Sequence, residues 1–182
     1  GSLRELEFSF DLGTGGAAAA LGRIADLAHH LDADDPFRSY FERIGPGMLA
    51  TDEARGYLSG SIDLVARDPG TGGVERYWVV DYKTNREPRG RYDAAGVHGL
   101  MEHGNYPLQA AIYLVALQRY LRRRLGAAYA PPTHLGGASY WFVRGMVGAE
   151  TAGADGHRDG VCTWRPAPAF VDAFDALLGG RA

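Results

Sequence analysis

Hydrophobic and polar positions alternate with a period of two near the start of the chain, where Leu6, Phe8, Phe10 and Leu12 interleave with Glu5, Glu7, Ser9 and Asp11. Side chains along a strand point to opposite faces in turn, so this pattern predicts a half-buried strand over 5–12. Gly13-Thr14-Gly15-Gly16 ends it, and the period changes. Leu21, Ile24, Leu27, Ala28 and Leu31 form the apolar stripe of a helix expected over 17–31. Phe37, Tyr40, Phe41 and Ile44 repeat helical spacing after Pro36, until Gly45-Pro46-Gly47 stops them. Two runs rich in β-branched and aromatic residues, 57–67 and 75–83, flank Asp68-Pro69-Gly70-Thr71-Gly72-Gly73. Proline fixes φ and glycine supplies positive φ, so this linker predicts chain reversal and a β-hairpin.

The connection 84–104 is long, charged and glycine-containing, with a short helix expected near 92–101. Residues 106–125 carry the strongest helical signal. Pro107 suits the first turn, Gly126 suits the stop, and Arg122, Arg123 and Arg124 sit where cations favour the helix dipole. Leu108, Ile112, Val115 and Leu117 supply core contacts, and Gln109, Tyr113, Ala116 and Tyr120 form a second stripe. Pro131-Pro132 is expected to break the chain before a strand over 135–145. A glycine-rich segment, 147–159, reads as a mobile loop, followed by a short edge strand at 161–164 and a closing helix over 166–178. Irregular alternation of strands and helices predicts an α/β fold, a mixed α+β sheet flanked by helices.

Composition narrows the function classes. A length of 182 residues suits one domain. The net charge of −3 gives no overall basic signature, so any nucleic-acid contact must come from local patches. Cys162 is the only cysteine, which excludes an intramolecular disulfide and points to a reducing, cytoplasmic setting. No Cys/His cluster has zinc spacing, no run is long enough for a membrane span, and no signal peptide is visible. Gly1-Ser2 reads as a cloning scar ahead of a single domain, 3–182.

The hairpin carries the candidate chemistry. Alternation is expected to put Ser61, Asp63 and Val65 on one face of its first strand and Ile62 and Leu64 on the other. On its second strand Val79, Asp81 and Lys83 share a face opposite Trp78, Val80 and Tyr82. A turn near Gly72 brings Asp63 opposite Asp81. Like charges facing one another across strands are destabilising, so Lys83 or a bound divalent cation must offset them. Oxygen ligands with waters to spare suit Mg²⁺ or Mn²⁺. Ordinary hairpin-edge aspartates with a solvated lysine would be the bland account of a lone D-x-K. Here both carboxylates lie inside apolar strands, where unpaired charge is costly, and that favours function. Arg86, Arg89 and Arg91 either guide a strand of DNA toward the pair or belong to a solvated loop. His29 and His30 read as surface residues, and His103 is the histidine to test for proximity to a metal.

The ordered set G-S-I-D-L-V, V-V-D-Y-K-T-N and Q-A-A-I-Y, continuing in Y-L-V-A-L-Q-R-Y-L-R-R-R-L and H-L-G-G-A-S-Y-W-F-V-R-G-M, resembles the nuclease domains of RecB-type helicase–nuclease subunits. These belong to the PD-(D/E)xK superfamily, and the likeness runs from Leu3 onwards. It implies a restriction-endonuclease-like core and Mg²⁺-dependent DNA hydrolysis, with Mn²⁺ or Ca²⁺ as substitutes. Asp63, Asp81 and the backbone carbonyl of Tyr82 would hold the metal. Lys83 would orient water or stabilise the transition state. Gln109 and Tyr113 match the family's Q-x-x-x-Y motif, either facing DNA phosphates or supporting the core. The resemblance also implies RecC-like and RecD-like subunits and a RecA-like recombinase as partners, with DNA mainly as single strands and no membrane. It further implies a metal-ligating histidine on a helical segment upstream of the first strand seen here. The expectation is therefore a chain that folds but holds divalent metal weakly and cuts DNA poorly, if at all. The rival expectation is a non-cleaving interaction module, a recombinase-loading or subunit-contact surface.

Overall fold

Two long strands form where β-branched and aromatic residues concentrate, β2 (Tyr57–Asp68) and β3 (Arg76–Lys83). They pair antiparallel, with Leu64 opposite Val80 and Asp68 opposite Arg76, which is the expected hairpin. The computed structural model describes residues 2–11, 22–44, 57–70, 73–146, 148 and 158–179. The two strands sit within a five-stranded mixed sheet of order β1-β2-β3-β4-β5, completed by β1 (Ser2–Asp11), β4 (Leu135–Phe142) and β5 (Val161–Trp164). Among the described strands only β3 and β4 run parallel, with Asp81 beside Tyr140 and Lys83 beside Phe142. A parallel pair needs a crossover. Here α2 (Ala94–His103) and α3 (Tyr106–Leu125) supply it, and α3 lies across β3 and β4. The α/β class and the flanking helices agree with the sequence pattern.

Helix α3 has the bounds its periodicity predicts, because Pro107 occupies its first turn and Gly126 takes φ 54° at its end. It buries Leu108, Leu114, Val115, Leu117 and Leu121 against the sheet and against α5 (Pro168–Leu177). Arg122 is more than a dipole complement. It pairs with Asp172 at 2.8 Å and Asp175 at 2.7 Å on α5, because α5 brings those carboxylates to the end of α3.

Several expectations are corrected. Residues 22–31 of the expected first helix form instead a 3-10 helix, Ile24–His30, and 17–21 lie outside the described residues. The tighter winding eclipses positions three apart, which suffices to bury Ile24 and Leu27 together. The next helix shrinks to α1 (Arg38–Arg43), preceded by Asp35, whose carboxylate accepts from Phe37 N and from Trp164 Nε1 on β5. Pro131-Pro132 does not simply break the chain. It opens a single helical turn, α4 (Pro131–His134), where proline costs no hydrogen bond. Strand β4 stops at Phe142 because Gly145 N turns back to the Phe142 carbonyl. The reversals at 13–16, 45–47 and 71–72 and nearly all of the loop at 147–159 lie outside the described residues.

The centre of the sheet leaves no room beside β4. Gly137 adopts φ 129°, and a Cβ there would stand 2.5 Å from the Trp164 carbonyl oxygen. Gly137→Ala is expected to cost roughly 2–3 kcal/mol through strain and overpacking together. Gly99 on α2 has nothing within 4 Å of its added Cβ, so Gly99→Ala should stabilise by about 0.5–1 kcal/mol. Urea unfolding midpoints of the two variants check both signs.

Candidate active site

Asp81 is 3% exposed, although β3 sits at the middle of the sheet among Val79, Val80 and Tyr140. Its neighbour two positions on, Lys83, places Nζ 2.7 Å from Asp81 Oδ2. Residues i and i+2 of a strand share a face, so this pair is a direct product of the D-x-K spacing. The ammonium engages Oδ2 as a close ion pair, no further donor among the described residues reaches that buried oxygen, and it keeps unused acceptor capacity. Burial pushes the Asp81 carboxyl above its ordinary value, the Lys83 ammonium pulls it partly back, and the Asp63 charge raises it again.

Asp63 stands beside this pair but not by strict alternation. Ile62 and Val65 are both buried, at 0% and 3% exposure, whereas Ser61 and Asp63 face solvent. The face therefore switches between Ile62 and Val65, where the β2–β3 ladder ends at Leu64 opposite Val80. On the other side, Glu5 of β1 takes φ 55° and drops out of the β1–β2 pairing opposite Asp63. This distortion turns Asp63 outward, and its Oδ2 accepts from the backbone N–H of Tyr82 at 3.3 Å. Asp63 thus lies at the mouth of the site and Asp81 at its floor, with the Tyr82 peptide between. The Tyr82 ring packs edge-on against Trp141, 5.5 Å between centroids.

Helix α3 closes the floor. Gln109 Oε1 accepts from Lys83 Nζ at 2.9 Å and from Tyr140 OH at 3.1 Å, and Gln109 Nε2 donates to Tyr113 OH at 3.1 Å. The i, i+4 pair Gln109–Tyr113 therefore supports the lysine from within the fold. Burial, with Asp81 and Asp63 nearby, pushes the Tyr113 hydroxyl up to about 12, so it acts as a neutral phenol. Tyr106 and Tyr140 were not singled out by pattern, yet their rings face Lys83 Nζ at 4.2 and 5.4 Å. One signal in the chain marks the site: Lys83 is the sole lysine, and the other eighteen permanently charged basic side chains are arginine.

Arg86 projects from the connection between β3 and α2 into a groove of about 560 Å³, which Asn85, Arg89, Arg91 and His103 also line. The acids of that loop are engaged: Glu87 accepts from the backbone N–H groups of Arg89 and Arg91, and Asp93 pairs with Arg91. His103 lies in this groove and does not join the two carboxylates. Among the described residues no group of three or more His, Cys, Asp or Glu side chains is gathered to hold a metal.

A buried D-x-K pair at the end of a central strand, a second aspartate across the ladder and a supporting Q-x-x-x-Y helix accord with the family model that matches residues 5–168, the PD-(D/E)XK nuclease superfamily. The chain belongs to that superfamily. It is 45% identical over 97% of its length to the RecBCD enzyme subunit RecB of Mycobacterium tuberculosis and 43% identical over 99% to that of Mycolicibacterium smegmatis. It is 35% identical over 70% of its length to RecB of Escherichia coli. The chain spans only 16%, 17% and 10% of those relatives. PD-(D/E)XK nucleases generally use divalent metal ions. The residues present fit one in two respects. Asp81 Oδ2 is buried with acceptor capacity left over beside Lys83, and the surrounding ligating atoms are hard oxygens.

The raised pKa of Asp81 has a consequence for stability. Its ionisation opposes folding, so the stability present below the ordinary value of 3.8 is lost as pH rises through the higher folded-state pKa. Asp81→Asn is expected to melt above the parent at pH 7, with the difference vanishing as pH falls below 3.8. Thermal melts followed by circular dichroism at the two pH values check it.

Proposed function

We propose that residues 3–182 form a metal-dependent deoxyribonuclease domain, exonuclease and endonuclease, of a RecBCD-type helicase–nuclease acting in recombinational double-strand-break repair. The observation that carries this reading is the buried Asp81–Lys83 pair braced by Gln109 beside Asp63. Asp63, Asp81 and the Tyr82 carbonyl would hold the ion, Mg²⁺ in the cell with Mn²⁺ or Ca²⁺ as substitutes. The chemistry such an ion supplies when bound is charge neutralisation at the phosphate and acidification of water.

The chain's own residues do the rest. Lys83 has three N–H donors and faces two partners, Asp81 and Gln109. The remaining N–H is aimed at the attacking water or at a phosphate oxygen, where charge develops in the transition state. Gln109 and Tyr113 hold that ammonium in place, and Tyr140 fixes Gln109 by donating to the same oxygen. Arg86 offers a guanidinium to the phosphates next to the scissile one. DNA, mainly as single strands, is the substrate. RecC-like and RecD-like subunits and a RecA-like recombinase are the partners, in the cytoplasm. Among the described residues no helix is long and apolar enough to cross a membrane.

The test is cleavage of linear single-stranded DNA with Mg²⁺. Asp63→Ala, Asp81→Ala and Lys83→Ala are each expected to lower the rate by roughly 10²–10³-fold. Mn²⁺ in large excess, as weak binding requires, should raise the melting temperature of the parent and leave that of Asp81→Asn unchanged. Cleavage that survives Asp81→Ala undiminished, together with no metal-dependent shift, would overturn the reading.

A further inference from the structure

The sole lysine of the chain lies in an aromatic enclosure that the Q-x-x-x-Y motif does not describe. Lys83 Nζ sits 4.2 Å from the centroid of the Tyr106 ring and 5.4 Å from that of Tyr140. The two rings stack on each other at 5.7 Å with 28° between their planes. Tyr106 is itself held. Its hydroxyl donates to Asn85 Oδ1 at 2.9 Å, and Asn85 lies two residues beyond Lys83. A Cβ at Gly104 would stand 2.5 Å from a Tyr106 ring carbon, so this glycine makes room for the ring. Asn105, which precedes Tyr106, takes φ 53° and is fixed by Tyr40 OH at 3.1 Å from α1. Three separate elements thus converge to place one phenol.

An ammonium on a flexible four-carbon stem needs such help. Asp81 and Gln109 fix two directions, and a ring face attracts the cation without using a donor. A carboxylate or amide in place of Tyr106 would consume the N–H that the reaction needs. We propose that Tyr106 is a positioning residue for Lys83 and that Asn85 is the clasp that orients Tyr106. The proposal rests on the nuclease reading for its catalytic meaning, while the geometry can be read without turnover.

Because Lys83 is unique, lysine labelled with ¹³C and ¹⁵N lights one side chain. Its Cε–Hε signal is expected upfield of a peptide lysine, from the ring current of Tyr106. Tyr106→Leu should return it to the peptide position, and Tyr106→Phe, which keeps the ring, should retain most of the displacement. Asn85→Ala should reduce it. A wild-type signal at the peptide position, or one unmoved by Tyr106→Leu in a protein that still melts cooperatively, overturns the proposal. In the cleavage assay, Tyr106→Leu is expected to lower kcat about tenfold with KM for DNA nearly unchanged. In a Lys83→Ala background the same substitution should cost nothing further. An equal loss in both backgrounds would mean that Tyr106 acts independently of the lysine. Absence of Asp81-dependent cleavage in the parent would count against the nuclease reading alone, since the spectrum decides the placement of Lys83 by itself.

Discussion

A carboxylate is buried on the central strand of this fold, and the rest of the structure is arranged around that cost. Asp81 is flanked by valines on its own strand and by Tyr140 on the next, with little water to solvate it. An isolated charge in such a place would take up a proton or unfold the site. Lys83 supplies the opposing charge from the same strand, and Gln109 supplies the acceptor that keeps the ammonium inside. The contacts of Lys83 with Asp81 on its own strand and with Gln109 on the helix join two adjacent elements, β3 and α3, into one unit.

Helix α3 can serve that unit because it is pinned at both ends. At its start Tyr106 reaches back to Asn85, and Asn105 is held from α1 by Tyr40. Toward its end Arg119 and Arg122 both grip Asp175, which is 4% exposed on α5. The Arg119 guanidinium also lies 4.3 Å from the centroid of the Phe10 ring on β1. A buried acid shared by two arginines contributes little net stability, but it fixes register, since a one-turn slip would leave a charge unpaired. The placement of Gln109 over β3 follows from these two anchors.

The two aspartates stand in different surroundings. Asp81 is buried and partnered, and burial outweighs the help its charge receives from Lys83. Asp63 is exposed and accepts from the Tyr82 peptide N–H. One acid thus lies at the floor and the other at the mouth. This difference accompanies the distortion at Glu5, whose positive φ interrupts the pairing opposite Asp63.

Much of this was written along the chain. The hairpin, α3 with its end points and β5 follow from periodicity and from proline and glycine at the boundaries, all of which are local steric effects. The D-x-K pairing also follows locally, because i and i+2 on a strand must share a face. What periodicity could not give were features set by partners distant in sequence. The 3-10 winding of Ile24–His30 answers to the packing of α1 and α5 on it. The switch of faces at Asp63 depends on a left-handed residue one strand away. The enclosure of Lys83 by Tyr106 and Tyr140 joins a loop, a helix and a strand. The sequence by itself determined the strand order of the hairpin, the longest helix and the identity of the charged residues. Tertiary structure decided which of those charges are dry, because desolvation depends on what packs above a residue and not on what precedes it.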